Sequence, residues 1–265
     1  MLWGGRWGGR CRAVWRLVRA TPRVVLIVLV LTLAGAAAYA VNIVHWIIQK
    51  PTELLAPFSG ALVKTPAETW KAYGPLFQHY ATQRVSPDLL AALAQTESSG
   101  NPAAHTYWRW NAAARDPYGF YRPASSSVGM YQMTEPAFID ASRYCIRDHK
   151  VVEAEQDEGP PLCQYDKVIS RVAPDEAIAL TAIYLDRSLD GVLDAGGGRK
   201  ATARQRQDAA ALVHLCGAGV ARDFVKAGFR LTAGQVCGDH SPAAYMAEVE
   251  TLARQFRQLM GRTDG

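Results

Sequence analysis

The sequence contains no Cys-x-x-Cys pair, and its six histidines show no spacing typical of metal ligands. It also lacks an internal repeat and any run of alternating polar and apolar residues that requires a β-strand. These absences argue against a zinc-finger type of site and against a repeat architecture. We therefore expect no metal and a mostly α fold.

Acidic residues and lysine are absent from residues 1–23, whereas arginine occupies positions 6, 10, 12, 16, 19 and 23. Without these six arginines the chain has 23 basic and 24 acidic residues, so the formal net charge of +5 belongs to this basic tail. The remainder lacks the excess of positive charge that is typical of nucleic-acid-binding proteins. We expect no nucleic-acid partner.

Residues 24–48 form one apolar run, VVLIVLVLTLAGAAAYAVNIVHWII, with no lysine, arginine or acidic residue. About 20 apolar residues cross a bilayer as a helix, so this run predicts a transmembrane helix. The preceding arginines predict that residues 1–23 are cytoplasmic. The alternative is a signal peptide cleaved at Ala38-Tyr39-Ala40, but the apolar run continues past that point. With either interpretation, residues from about 50 onward lie outside the cytoplasm.

The cysteines agree with an oxidising compartment. Four of the five, Cys145, Cys163, Cys216 and Cys237, lie beyond the apolar run and form an even set. Their three pairings remain open, and each bridge would contribute about 3 kcal/mol. Four buried thiols are the alternative. Cys11 lies on the predicted cytoplasmic side.

Proline and small residues dominate residues 49–66, which predicts a linker. Residues 67–262 then show helical periodicity and are predicted to form one mostly α domain. The predicted helices cover residues 67–84, 87–99, 134–148, 175–189, 202–216, 219–228 and 242–260.

Glu97 lies at the carboxyl end of the helix predicted from Pro87, just before Gly100 and Pro102. The negative end of the helix dipole and the apolar neighbours LLAALAQT predict a raised pKa for this carboxyl. A carboxyl that is partly neutral near pH 7 is suited to general acid catalysis. Taken alone, however, the pattern is also typical of a solvated helix end.

A second motif follows at Gly129-Met130-Tyr131-Gln132 and continues to Pro136. Together with Glu97-Ser98 and Asn101-Pro102 before it and Tyr184-Leu185 after it, this order resembles the lytic transglycosylases of the soluble-lytic-transglycosylase type. The resemblance covers most of residues 85–230. It implies a lysozyme-like helical domain that cleaves peptidoglycan.

The resemblance also implies a mechanism with one carboxyl group. Glu97 would protonate the glycosidic oxygen between N-acetylmuramic acid and N-acetylglucosamine, and the 2-acetamido group of the substrate would stabilise the cationic centre. Glu97 would then deprotonate the C6 hydroxyl, which closes a 1,6-anhydro ring without water. Ser98 would lie near the acid, and the segment Gly129, Met130, Tyr131 and Gln132 would hold the sugar. No cofactor is implied.

The sequence departs from the family pattern in two places. Glu97 and Gly129 are 32 positions apart, and the surplus is an aromatic stretch that would either wall the glycan cleft or pack a satellite core. In the third motif, His214 and Leu215 replace the family's Tyr-Asn pair. A neutral His214 would preserve the hydrogen bond to Glu97, whereas a charged one would lower the pKa of Glu97.

These expectations combine into a single-pass protein of the bacterial inner membrane with a cytoplasmic N-terminus and a periplasmic catalytic domain. Its expected partners are peptidoglycan glycan strands, the membrane through residues 24–48, and a secretion or conjugation complex. A glycan-binding scaffold without activity and a hydrolytic lysozyme are the alternatives.

Overall fold

The computed structural model describes residues 21–155, 161–167, 169–196 and 200–263. Most of the predicted basic tail, including Cys11, therefore lies outside the described residues. The fold is mostly helical, with 59% helix and 8% strand. This confirms the predicted class of fold.

The helices differ widely in length, and the strands are all short. The α-helices are α1 (Arg23–Gln49), α2 (Ala56–Ser59), α3 (Pro66–Tyr80), α4 (Pro87–Ser98), α5 (Glu135–Ala141), α6 (Pro174–Asp194), α7 (Ala203–Lys226) and α8 (Pro242–Thr263). The strands are β1 (Trp108–Trp110), β2 (Tyr121–Pro123), β3 (Tyr144–Arg147) and β4 (Lys150–Glu153).

The chain forms two compact units. The first comprises the described part of Met1–Gln49 together with Trp110–Arg122. The second comprises the described parts of Lys50–Arg109 and Pro123–Gly265. The strands β1 and β2 lie where the chain passes from one unit to the other.

In the first unit, α1 is long and apolar enough to cross a membrane, with a mean hydropathy of 2.6 over its most apolar window. None of the residues in that window is buried inside the protein. A signal sequence near the N-terminus can pass the same test of length and hydropathy, so this helix is consistent with both interpretations of residues 24–48.

In the second unit, five helices enclose the main core. The most extensive packing joins α4 with α8 and α6 with α7, and α3 also packs against α4. The core is filled by completely or almost completely buried apolar side chains, which include Phe77, Leu89, Leu90, Leu93, Ile178, Leu185, Leu212, Val249 and Phe256. Since α4 lies among these helices, its last turn has a fixed position.

Several predicted helices are confirmed, including the interruption near residue 217. α7 runs through Gly217, whose φ of 82° and ψ of 167° are not helical, so two helical segments meet there. Only glycine adopts this backbone conformation readily. The break agrees with the separate helices predicted at 202–216 and 219–228.

The helix predicted at 134–148 is wrong in its second half. α5 ends at Ala141, and the chain continues as an antiparallel hairpin of β3 and β4. Asp148 and His149 form its turn with φ values of 49° and 60°. Aspartate and histidine tolerate this left-handed conformation better than most residues, which explains a turn without glycine.

Two disulfides join cysteines that are near one another in sequence. Cys145 in β3 is bonded to Cys163, and Cys216 in α7 is bonded to Cys237. The structure thereby selects one of the three pairings that the sequence left open. Each bridge fixes a segment outside the helical core.

Residues 50–66, predicted as part of a linker, have ordered contacts within the second unit. Lys50 and Glu53 form an ion pair of 2.9 Å, and both side chains are buried. Trp108 Nε1 donates a hydrogen bond to Glu53 Oε2 at 2.8 Å. Asn101 Nδ2 donates to the carbonyl oxygen of Ser59 at 2.8 Å. The domain boundary at residues 66 and 67 stays a prediction.

Candidate active site

Glu97 lies in the last turn of α4, which ends at Ser98 as the sequence predicts. Ser99 adopts a left-handed φ of 54°, and Gly100 follows with a φ of 65°. The Gly100 amide donates to the Ala94 carbonyl at 3.1 Å, a hydrogen bond typical of helix C-caps. A Cβ at Gly100 would lie 2.3 Å from Thr69 Oγ1, so glycine is also required there for packing.

The sequence analysis missed Tyr245, which forms the shortest contact to Glu97. The Tyr245 hydroxyl donates a hydrogen bond to Glu97 Oε1 at 2.5 Å, although 148 positions separate the two residues. Tyr245 is 8% exposed and continues the buried stripe of α8 formed by Val249, Ala253 and Phe256. This stripe has helical spacing, a signal that could have placed Tyr245 on the core side, but nothing in the sequence indicates its partner.

His214 lies on the same carboxylate oxygen. Its Nε2 is 3.4 Å from Glu97 Oε1, and the side chains of His214 and Glu97 are 10% and 18% exposed. The position of His214 in α7 is three residues before the break at Gly217. The structure therefore brings His214 to Glu97, as the resemblance of the third motif implies.

The net pKa shift of Glu97 is opposite to the predicted one. Burial raises this pKa, but the hydrogen bond and charge interaction with His214, the hydrogen bond from Tyr245 and the charge interaction with His240 hold it below its usual value. The raised pKa that burial and the helix dipole predict is therefore wrong, whereas the lowering effect expected of a charged His214 applies. Burial and the neighbouring Glu97 charge raise the pKa of Tyr245 well above its usual value, so this phenol keeps its proton.

Replacing His214 with glutamine should raise the pKa of Glu97. His214 contributes the largest effect that lowers this pKa, and glutamine cannot carry a charge. Titration of the carboxyl carbon by NMR would measure this shift, with His79→Gln, a change at an exposed histidine, as the control. In the wild type, the lowered pKa means that ionised Glu97 stabilises the folded protein. This stabilisation is fully present at pH values above the pKa that Glu97 has in the unfolded chain, and it is lost as the pH falls through the lower pKa of the folded protein. An unchanged or lower pKa in the variant would contradict the proposed interaction.

The second motif contributes mainly to packing. The side chains of Met130 and Tyr131 are 0% and 1% exposed, and Tyr131 donates a hydrogen bond to the carbonyl oxygen of Leu90 at 3.1 Å. Their side chains therefore belong to the core, which leaves only their backbone for a bound sugar. Ser98 Oγ donates to the Met130 carbonyl at 2.8 Å, so Ser98 joins the end of α4 to this segment.

Gly129 is required by a close approach between two parts of the backbone. It has a φ of 77°, and a Cβ there would lie 1.9 Å from the carbonyl oxygen of Arg171. Gln132, with a φ of 47°, donates from Nε2 to the carbonyl oxygen of Gly129 at 3.0 Å. The segment is thus fixed by contacts within the chain beside Glu97.

A cavity of about 210 Å³ opens next to these residues. It is lined by Gln132, Thr134, Thr181, Tyr184, His214 and Leu215, among others. The cavity places residues of the second and third motifs around one space. Its lining is mixed in polarity, which suits a ligand with both hydroxyl and apolar groups.

His214, Tyr245 and His240 are the groups that lower the pKa of the Glu97 carboxyl. His240 is held by backbone hydrogen bonds to Cys237, which is itself bonded to Cys216. Within the same residues, no group of three or more His, Cys, Asp or Glu side chains is arranged to hold a metal ion.

The surplus aromatic stretch between Glu97 and Gly129 divides between the two units. In the first unit, the Tyr121 ring stacks on Tyr39 at 5.8 Å and the Tyr118 ring stacks on His45 at 4.1 Å. These contacts with α1 correspond to the satellite cluster that the sequence analysis considered.

The end of α4, the Tyr245 phenol and the His214 imidazole therefore meet around one half-buried carboxyl group, and His214 also lines the cavity. No protein-family model and no curated protein matches the chain, so the assignment of a function depends on the residues and geometry described above.

Proposed function

We propose that the chain is a peptidoglycan lytic transglycosylase with a lysozyme-like helical domain. The observation that carries this proposal is the environment of Glu97. Its carboxyl group accepts a hydrogen bond from Tyr245 and lies 3.4 Å from His214, which lines a cavity together with Gln132. The sequence motifs that resemble this family thus converge on one carboxyl group.

In the proposed reaction, protonated Glu97 donates its proton to the glycosidic oxygen after N-acetylmuramic acid. The bond from that oxygen to C1 breaks, and the 2-acetamido oxygen of the same sugar stabilises the positive C1. Glu97, now a carboxylate, takes the proton of the C6 hydroxyl, and this oxygen bonds to C1. The proton that Glu97 gave is thereby restored, and no water is consumed.

The groups around Glu97 suit a residue that alternates between acid and base. Tyr245 keeps its own proton and donates to Oε1, so it stabilises the carboxylate form between the two proton transfers. Glycosidases with two carboxyl groups hold them about 5 to 9.5 Å apart. The motifs supply one carboxyl group, Glu97, so the proposed mechanism uses one acid.

The proposed location is outside the cytoplasm, at the bacterial inner membrane, with α1 as anchor and the basic tail in the cytoplasm. The two disulfides support an oxidising compartment. The periplasm contains the proposed substrate, peptidoglycan glycan strands. An anchored enzyme would open the wall locally, which suits a secretion or conjugation complex as partner.

A second candidate function is a glycan-binding scaffold without catalytic activity. The lowered pKa of Glu97 favours it, because a carboxyl that is largely ionised at neutral pH is a weaker general acid. For the enzyme, the same pKa direction predicts that activity increases as the pH falls below neutral. The two candidates therefore differ in their products rather than in their binding.

Digestion of purified peptidoglycan tests the proposed function. We expect soluble products that end in 1,6-anhydro-N-acetylmuramic acid, which borohydride cannot reduce and which mass spectrometry identifies. Reducible sugar ends would indicate a lysozyme-type hydrolase. Binding to the peptidoglycan without soluble products would indicate the scaffold.

Replacing Tyr245 with phenylalanine should lower kcat by about tenfold, because the Glu97 carboxylate loses a charge-assisted hydrogen bond. The same change should raise the pKa of Glu97, since the phenol lowers it. Steady-state rates across a pH series would show both effects. A variant with wild-type rates and an unshifted pH–rate profile would show that Tyr245 does not act on Glu97 during the reaction.

A further inference from the structure

The environment of α1 changes abruptly between Val41 and Asn42. Every residue from Ile27 to Val41 is exposed, whereas Asn42 is only 1% exposed. The covering segment is Trp110–Arg122 of the same unit, here called the aromatic hairpin. The apolar run continues to Ile48, so the change in burial is not a change in hydropathy.

Specific contacts hold the aromatic hairpin on the last turns of α1. Asn42 Nδ2 and Trp46 Nε1 both donate to the carbonyl oxygen of Tyr118, at 3.0 and 2.8 Å. The His45 ring stacks on the Tyr118 ring with a centroid distance of 4.1 Å. Both acceptor positions of one carbonyl are thus used, so the hairpin has a defined register on the helix.

An irregular segment of this kind is incompatible with the hydrocarbon interior of a bilayer. Its exposed residues include Arg115 and Asp116, and loop backbone exposed to lipid leaves polar groups without partners. The turns of α1 that it covers must therefore lie outside the hydrocarbon. Val24–Val41 remains for the span, about 18 residues or about 27 Å at 1.5 Å per residue, close to the hydrocarbon thickness of about 30 Å.

Aromatic rings collect at the level where this span would end. Tyr121 stacks on Tyr39 at 5.8 Å and contacts Trp110 at 4.4 Å, and Trp110 contacts Phe120 at 5.9 Å. Trp110 is 68% exposed, although its ring is large and apolar. Tyrosine and tryptophan are enriched at membrane–water interfaces, because their rings combine an apolar body with a polar atom.

We propose that the aromatic hairpin binds the phospholipid interface of the bilayer and that the hydrocarbon span of α1 ends near Val41. The last turns of α1, from Asn42 to Gln49, then stand in the interface beneath the hairpin. This proposal depends on α1 remaining as a membrane anchor, but it does not depend on the proposed enzymatic activity. It shortens the span of 24–48 that the hydropathy alone predicts.

Spin labels in the full-length chain test the proposal. Single cysteines at Val30, Val44, Trp110 and Ala247, in a Cys11→Ser background, would carry nitroxides in protein reconstituted into phospholipid nanodiscs. The ratio of collisions with a water-soluble nickel chelate to collisions with oxygen should be roughly tenfold higher at Val44 than at Val30. At Trp110 the ratio should lie between those of Val30 and Ala247, which is an exposed site on α8.

Four results would overturn the proposal. A Val44 ratio equal to that of Val30 would extend the hydrocarbon span beyond the hairpin. A Trp110 ratio equal to that of Ala247 would place the hairpin in bulk water, and one equal to that of Val30 would place it in hydrocarbon. Recovery of a mature chain without residues 24–40 would remove the anchor on which the proposal depends. None of these results bears on glycan cleavage.

Discussion

Replacing Glu97 with glutamine should reduce the release of anhydro-ended products by about 10³- to 10⁴-fold, since one residue supplies both proton transfers. Glutamine preserves the size of the side chain and can still accept the hydrogen bond from Tyr245. Binding of the variant to peptidoglycan should therefore remain. The rate of product release and the amount of bound protein would be measured on the same wall preparation.

Glu135→Gln is the matched control for this prediction. Glu135 is the first residue of α5, is half-exposed and pairs with Lys167. The variant therefore has the same change from carboxylate to amide near the cavity, but Glu97 is unchanged. We expect less than about a twofold change in rate, as for a surface ion pair. Equal rates for wild type and Glu97→Gln would show that Glu97 is not the acid.

Replacing Gly129 with alanine should lower the free energy of unfolding by at least about 3 kcal/mol. Losses of this size arise from a few mechanisms, which include steric conflict with atoms that cannot move. The added Cβ would lie 1.9 Å from the backbone oxygen of Arg171, and the φ of 77° is unfavourable for alanine. Backbone atoms cannot rotate away as a side chain would. Denaturant unfolding of both proteins would measure the difference.

Gly191→Ala is the control for the Gly129 prediction. Gly191 lies within α6, and a Cβ there would meet no atom within 4 Å. Alanine in a helix is favoured over glycine by up to about 1 kcal/mol, so this variant should be as stable as the wild type or more stable. A Gly129→Ala protein of wild-type stability would mean that the second motif can move away from Arg171.

Periodicity alone predicted most of the helical framework. The apolar spacing located α3, α4, α6, α7 and α8, with separate helices predicted at 202–216 and 219–228 on the two sides of the break in α7. The hairpin of β3 and β4 was not predicted, because its strands have four residues each and are too short to show an alternating pattern. A left-handed turn of Asp148 and His149 joins them, and no glycine marks it.

The residues around Glu97 were predictable only in part. His214 followed from its place in a motif, whereas Tyr245 is on the last helix and its contact depends on how α8 packs against α4. The lowering effect of a charged His214 on the pKa of Glu97 was foreseen from the third motif, whereas Tyr245 and His240 come from segments remote in sequence and were not. The local sequence therefore predicts where α4 ends, whereas tertiary packing determines which groups contact the Glu97 carboxyl.

The second motif shows why matching residues do not establish their roles. Gly129, Met130 and Tyr131 were predicted as sugar-binding residues. In the structure, however, Gly129 is required because a Cβ would clash with the backbone of Arg171, and the side chains of Met130 and Tyr131 fill the core. Gln132 lines the cavity and also holds its own turn. Contact of this segment's backbone with a sugar stays a prediction.

Digestion of peptidoglycan in water enriched in oxygen-18 tests the central claim most directly. The C6 hydroxyl, rather than water, is the proposed nucleophile, so the anhydro ends should contain no oxygen-18. The Glu97→Gln protein should release almost none of these ends. Products with one oxygen-18 at each new sugar end would contradict the account, because they would show that water attacks C1.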